Sequence, residues 1–168
     1  LILEKCIKTE LVIAKDFDDF YTKYINAVKE VVDTVTTEIG NSQTERAKHN
    51  PLPMRTLLID DCIDNGLDYN NGGARYKWSI INFAGMINVI FSATELIAKL
   101  EKNDKDFLVQ LRNHSVSFGS DNSDANSFSN KISTDIFSML DDKKPPFGEG
   151  FLPASIQFMS QVEAGKKV

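Results

Sequence analysis

The residues DNGLDYNNGGARYKW, positions 64–78, place a cation and two large rings directly behind two adjacent glycines. Glycine permits φ > 0 and close backbone approach, so the turn can bring Arg75, Tyr76 and Trp78 close to something. A phosphate is one candidate. However, neither G-x-G-x-x-G nor G-x-x-x-x-G-K-[ST] occurs, and no predicted helix begins just after the glycines, so nucleotide binding is unsupported. Asp60 and Asp64 lie one helical turn apart and form either a paired carboxylate for acid–base work or, ranked first, a solvated or salt-bridged face. His49 and His114 have no second ligand at i+3 or i+4 and read as surface residues, and no metal site is expected. Cys6 and Cys62 stand far apart among apolar residues, which suits small buried hydrophobes in a reducing compartment better than a disulfide framework. Asn113-His114-Ser115 matches a glycosylation triplet, a pattern too short to carry weight without an export signal.

Helices must position most of these groups. From Asp16, a suitable N-cap, Phe17, Tyr21, Tyr24, Val28, Val31 and Val35 recur at spacings of four and three, which predicts a core-facing helix with Gly40 as its stop. Its second half is rich in β-branched residues, so packing rather than propensity must hold it. Gly40 to Asn50 is polar. Pro51 and Pro53 then lead into a second helix lined by Met54, Leu57, Leu58, Cys62 and Ile63, with Gly66 as its C′ residue. This puts Asp60, Asp61 and Asp64 in the last turns, against the macrodipole, and Arg75 and the N–H groups of the glycine turn are the nearest compensation.

Ile80 to Phe91 fits a buried strand or the start of a buried helix equally well. Ser92-Ala93-Thr94-Glu95 has the form of a capping box, and Lys105 to Asn113 suggests a short helix. Residues 115–130, rich in Ser, Asn and Asp, read as a loop. Phe128, Ile132, Ile136, Met139 and Leu140 mark a further amphipathic helix ended by Lys143-Lys144-Pro145-Pro146. Past a Gly-Glu-Gly turn, Ala154 and Ile156 alternate with Ser155 and Gln157, the period of a strand that sets the latter two on one face.

The chain has 168 residues, 42% hydrophobic and 26% charged, enough for one domain with its own core. A net charge of −5, from 24 acids and 19 bases, creates no field that gathers nucleic acid or anionic lipid. No apolar run approaches a membrane span and no leader is apparent, so a soluble, cytoplasmic protein is expected. The start at Leu1 suggests an excerpt of a longer chain.

One further pattern is denser than periodicity explains: Asp61-Cys62-Ile63-Asp64-Asn65-Gly66-Leu67-Asp68-Tyr69, then Gly72-Gly73-Ala74-Arg75-Tyr76. It resembles the D-C-I-x-x-G-x-D-x-x-x-G-G-A-x-Y signature of glycyl radical enzymes, in the pyruvate formate-lyase and diol dehydratase group. Similarity continues upstream through Leu3-Glu4, Phe17-Asp18-Asp19-Phe20 and Pro51-Leu52-Pro53. Downstream it continues through Glu95-Leu96 to Asn103, Phe118-Gly119-Ser120-Asp121 and Gly150-Phe151-Leu152-Pro153-Ala154-Ser155. Two departures stand out: Ile90 to Thr94 replaces a longer family segment, and Ile80-Ile81-Asn82-Phe83 replaces a glycine-rich one. The barrel wall is altered or the gene has decayed.

The resemblance implies an α/β fold, a ten-stranded α/β barrel, of which residues 1–168 form a single, predominantly helical segment with a few short strands. It also implies radical cleavage or elimination on a small-molecule substrate, as in formate acetyltransferases (transferases) and dehydratases (lyases) of anaerobic metabolism. Such enzymes use a glycine radical, installed by an iron–sulfur activating enzyme with S-adenosylmethionine, and a cysteine thiyl. Nothing here matches the G-C-V-E cysteine loop or the R-V-x-G radical loop, so the chain itself should carry no catalytic residue or cofactor and be inactive alone. Tyr76 is expected to face substrate, its phenol donating a hydrogen bond, with Arg75, Trp78, Ser155 and Gln157 as further pocket residues; the alternative for Tyr76 is a core tyrosine. The expected partners are the substrate and the activating enzyme, with homodimerisation through exposed apolar surface. A non-catalytic remnant or small helical interaction protein is the competing reading.

Overall fold

The computed structural model describes residues 2, 6, 17–86, 89–90 and 123–156. Its elements are α1 (Phe17–His49), α2 (Pro53–Leu57), α3 (Asp60–Asn65), a 3-10 turn (Tyr69–Asn71), β1 (Trp78–Ala84), α4 (Ser123–Phe137), a second 3-10 turn (Ser138–Leu140) and β2 (Gly150–Ile156). The two strands pair in one small sheet. Boundaries after residues 29, 81, 137 and 153 divide the molecule into two compact units.

The first unit takes the start of α1, the end of β1, α4 and the end of β2. Phe20, Tyr21, Tyr24 and Val28 of α1 are buried here, as are Phe128, Ile132 and Ile136 of α4, whose spacing of four keeps one face inward. Phe17, Tyr21 and Phe128 make an aromatic cluster: Phe17 stacks on Tyr21 at 6.1 Å, and Phe128 meets both edge-on at 5.7 Å. Tyr21 donates its hydroxyl proton to Asp135 Oδ2 at 2.6 Å, and burial, then Asp135, pushes the phenol pKa well above its usual range.

The second unit takes the rest of α1, the segment from Asn50 to Ile81, and the stretch from Ser138 to Pro153. Val32, Thr36, Gln43, Cys62, Ile81, Leu140 and Phe151 are buried in it. In the β-branched half of α1 the hydroxyls bond back to the helix's own carbonyls, Thr34, Thr36, Thr37 and Thr44 each donating to the carbonyl four residues back. Gln43 reaches across, donating Nε2–H to Ser79 Oγ at 3.0 Å and accepting from the Phe147 N–H at 3.3 Å. Lys143 pairs with Asp33.

Several expectations are corrected. Gly40 does not stop α1, which runs nine residues further, to His49. A Cβ at Gly40 would lie 3.3 Å from Pro146 Cδ, so the glycine makes room for a packed ring. The stop is Asn50-Pro51, where the residue before proline is driven out of helical conformation. The buried stripe continues through Val32 and Thr36, whereas Val31 is exposed. Residues 123–130 belong to α4 rather than to a loop. β2 begins at Gly150, before the alternation the sequence suggested, and the ambiguous apolar run opens as strand β1. The capping box at Ser92, the helix at Lys105 to Asn113, His114 and the N-cap Asp16 lie outside the described residues.

The second predicted helix is two helices. Leu58 N–H turns back to Arg55 and Ile59 N–H to Thr56, and Ile59 adopts an extended conformation (φ −125°, ψ 110°) before α3 begins. Asp60 and Asp61 therefore sit in the first turn of α3, where the macrodipole favours them, and not in a last turn. The predicted apolar face is exposed at Met54, Leu57, Leu58 and Ile63; of that set only Cys62 is buried. Gly66 closes α3 as expected, at φ 62°, with Leu67 N–H on Cys62 C=O and Gly66 N–H on Ile63 C=O.

Candidate functional site

The signature segment is organised around Asp68, a residue that the motif contains but to which the sequence reading assigned no role. Its Oδ2 accepts from the Leu52 N–H at 2.9 Å and from Thr56 Oγ1 at 2.7 Å, and its Oδ1 accepts from the Asn70 N–H at 2.8 Å. Its main-chain carbonyl takes the N–H groups of Asn71 and Gly73. Thr56 in turn accepts from the Tyr69 N–H, and Asn70 donates its side-chain amide to Asn50 C=O at 2.7 Å. Burial pushes the Asp68 carboxyl up, but hydrogen bonds from Thr56, Asn70 and Leu52, with the Lys77 charge, outweigh it and hold the group below its ordinary value. The donors that might have cradled an external anion are thus taken by the carboxylate and the main-chain carbonyl of Asp68. An Asp followed two residues on by Asn in a glycine-rich turn is the local signal that could have found it.

The two glycines do different work. Gly72 takes φ 83° and ends the 3-10 turn, a conformation other residues resist. At Gly73 space decides: an added Cβ would stand 2.2 Å from Leu67 O and 2.8 Å from Cys62 Sγ. Cys62 and Gly73, eleven positions apart in the motif, are one packing contact. Burial pushes the Cys62 thiol pKa up, the Asp68 and Asp61 carboxylates add to this, and Lys77 opposes it. A protonated thiol sealed under a glycine fills space, and both Cys6 and Cys62 are buried.

Beyond the turn, Arg75 donates its backbone N–H to Asp61 Oδ2 at 3.3 Å and sets Nη2 2.8 Å from Oδ1. The compensation anticipated from Arg75 is present, although Asp61 needs none from an adverse dipole. Tyr76 is 75% exposed, with the Arg75 guanidinium 6.0 Å from its ring centre; it is not a core tyrosine in this structure. Trp78 is partly exposed, and its ring edge crosses Gly150, where a Cβ would lie 2.8 Å from Cζ3. Arg75, Tyr76 and Trp78 therefore share one stretch of the second unit. Ser155 is exposed near the end of β2 in the first unit, and Gln157 lies outside the described residues. Asp60 and Asp64 are exposed, and His49 lies 3.5 Å from Glu45 on an exposed turn. Among the described residues no His, Cys, Asp and Glu side chains cluster as a metal would require, and no helix is long and apolar enough to cross a membrane.

The fold, set beside known structures, is that of glycyl radical enzymes. Hydroxyproline dehydratase from Clostridioides difficile superimposes with a TM-score of 0.74 at 20% identity, over 84% of this chain and 20% of that one. A glycyl radical enzyme from Archaeoglobus fulgidus gives 0.71 at 21% identity, over 82% and 20%. A glycerol dehydratase from Clostridium butyricum gives 0.67 at 23% identity, over 83% and 20%. These are α/β barrels of which this chain corresponds to a mostly helical piece with two short strands. In sequence, 76 residues are 37% identical to trans-4-hydroxy-L-proline dehydratase of Clostridioides difficile, spanning 42% of this chain and 10% of that protein. The pyruvate formate lyase-like family model matches residues 5–165, and the chain belongs to that family. It spans about a tenth of the length of its curated relative and about a fifth of the solved chains.

Proposed function

We propose that these residues form part of a glycyl radical enzyme that eliminates water from a small hydroxylated substrate. The observation that carries this is the 37% identity with a dehydratase over a stretch of 76 residues. The tied turn supports a binding role within such an enzyme. Tyr76, held outward, donates its phenolic hydrogen bond to a substrate hydroxyl or carbonyl, with Arg75 and Trp78 beside it on the same stretch. The cysteine and glycine loops that the family's chemistry needs have no counterpart among these 168 residues. The segment alone therefore binds and orients; it does not turn over. Its partners are the substrate, an activating enzyme and a second copy of the protein, and its place is the cytoplasm.

The test is to express the natural polypeptide that carries these residues, activate it anaerobically with its activating enzyme, and look for an organic-radical resonance. Water elimination from trans-4-hydroxy-L-proline, glycerol and 1,2-propanediol is then assayed. A radical and turnover of one of these compounds is the expected result. A natural polypeptide without either loop, and without a radical signal, would instead mark a non-catalytic remnant.

A further inference from the structure

Tyr76 stands between two residues that are each tied back to the signature segment, one to α3 and one to the 3-10 turn. On one side lies the Arg75–Asp61 pair, which fixes both the Arg75 backbone N–H and its guanidinium. On the other, Lys77 sends its ammonium back across the turn to donate to Tyr69 C=O at 2.8 Å and Asn70 C=O at 3.4 Å. The same ammonium lies 4.9 Å from the centre of the Tyr69 ring, and the Arg55 guanidinium lies 4.7 Å from it. The Lys77 carbonyl accepts from the Glu149 N–H at 3.2 Å, and a Cβ at Gly148 would come within 2.5 Å of that oxygen. Residue 77 is thus held by its side chain to the 3-10 turn and by its backbone to the loop before β2.

Peptide planarity leaves two soft backbone torsions at Tyr76, and anchoring both neighbours restrains them. What stays free is the phenol on two side-chain torsions, pointing to solvent. A charge at Lys77 is a costly way merely to fill that space, because it is partly stripped of water beside the like charge of Arg46. A methionine would cover the Tyr69 ring with a stem of similar length. What the ammonium adds is direction: two carbonyl oxygens of the turn accept from it, and so set where the next residue back emerges.

We propose that Lys77 is a positioning residue for Tyr76, tying the start of β1 to the Tyr69 and Asn70 carbonyls so that the phenol meets a small polar substrate at a set place. This rests on the reading of Tyr76 as a substrate-facing residue, and the experiment separates the two. In the natural polypeptide, Lys77→Met, Lys77→Arg, Asp61→Asn and Tyr76→Phe are compared by hydrogen–deuterium exchange and by steady-state kinetics on the substrate identified above. Lys77→Met speeds exchange at residues 75–78 about tenfold while the rest of the protein exchanges as before. It also raises KM about tenfold with kcat nearly kept, and Lys77→Arg recovers both. Asp61→Asn, at a more exposed pair, loosens the same stretch from the other side and covers the case in which Lys77→Met fails to fold. Unchanged exchange at 75–78 in both Lys77→Met and Asp61→Asn overturns the proposal, as does a loss confined to kcat. Native exchange with an unchanged KM in Tyr76→Phe overturns the substrate-facing reading of Tyr76 instead.

Discussion

At the scale of single residues, Asp68 holds the signature segment together, and its protonation has a definite sign. Its carboxyl titrates near 3.8 in an unpaired state and lower in the fold, so between those values the unfolded chain binds more protons. The stabilisation is fully present above 3.8 and is lost as the pH falls through the folded value. Asp68→Asn keeps the shape but turns an N–H toward one of three donors, and is expected to cost about 2 kcal/mol at neutral pH by urea unfolding. The gap between Asp68→Asn and the parent should close as the pH drops below that of the free carboxyl; a pH-independent gap would refute the charge-based account. Gly73→Ala should cost about 3 kcal/mol, and Cys62→Ala should not rescue it, because Leu67 O at 2.2 Å is the harder obstacle. The site was half legible. Glycine pairs announce a turn, and Gly72 provides it, but nothing local in a sequence says that Gly73 is small for a thiol and a carbonyl, or that Lys77 points backward. Those facts belong to contacts made after the chain has turned.

At the scale of elements, the stretches read correctly are those whose pattern is local, and the errors come from residues whose reason lies elsewhere in the chain. The spacing of Phe128, Ile132 and Ile136 marks α4, which ends at Phe137, whereas Leu140 lies in the 3-10 turn that follows; all four are buried. Gly40 reads as a helix stop because glycine so often serves as one, yet its partner Pro146 is a hundred residues away and invisible to any window. The helix break at Leu58 and Ile59 has no proline or glycine to announce it; Asp68, ten residues on, draws Thr56 and Leu52 toward the turn instead. Gly40 offers a direct check. Alanine there gains about 1 kcal/mol of helix propensity and loses a similar amount by crowding Pro146, so Gly40→Ala should change stability by less than about 0.5 kcal/mol. Gly40→Leu cannot be accommodated beside the ring and should cost about 2 kcal/mol. Equal losses for both substitutions in thermal or urea unfolding would show that the close packing at Pro146 is not what selects glycine.

At the scale of the whole molecule, the apolar side chains of α2 and α3 set the expected solution behaviour. Met54 is 73% exposed and Leu58 82%, with Leu57 and Ile63 also well exposed, all within ten residues of sequence. A soluble monomer rarely presents so much apolar side chain on consecutive short helices, and such surface ordinarily meets another protein surface. The relatives on which this fold is superimposed are about four times longer, which is consistent with helices whose apolar sides face further chain in those proteins. The 168-residue protein should therefore self-associate in a concentration-dependent way. Replacing Leu57 and Leu58 together by glutamate removes the two most prominent exposed leucines at positions that bury little. Sedimentation velocity should show the parent shifting to larger species as concentration rises, while the double variant keeps its helical circular dichroism and stays monomeric. If the variant associates as strongly as the parent, the contact lies on another surface and the α2–α3 face is excluded as its cause.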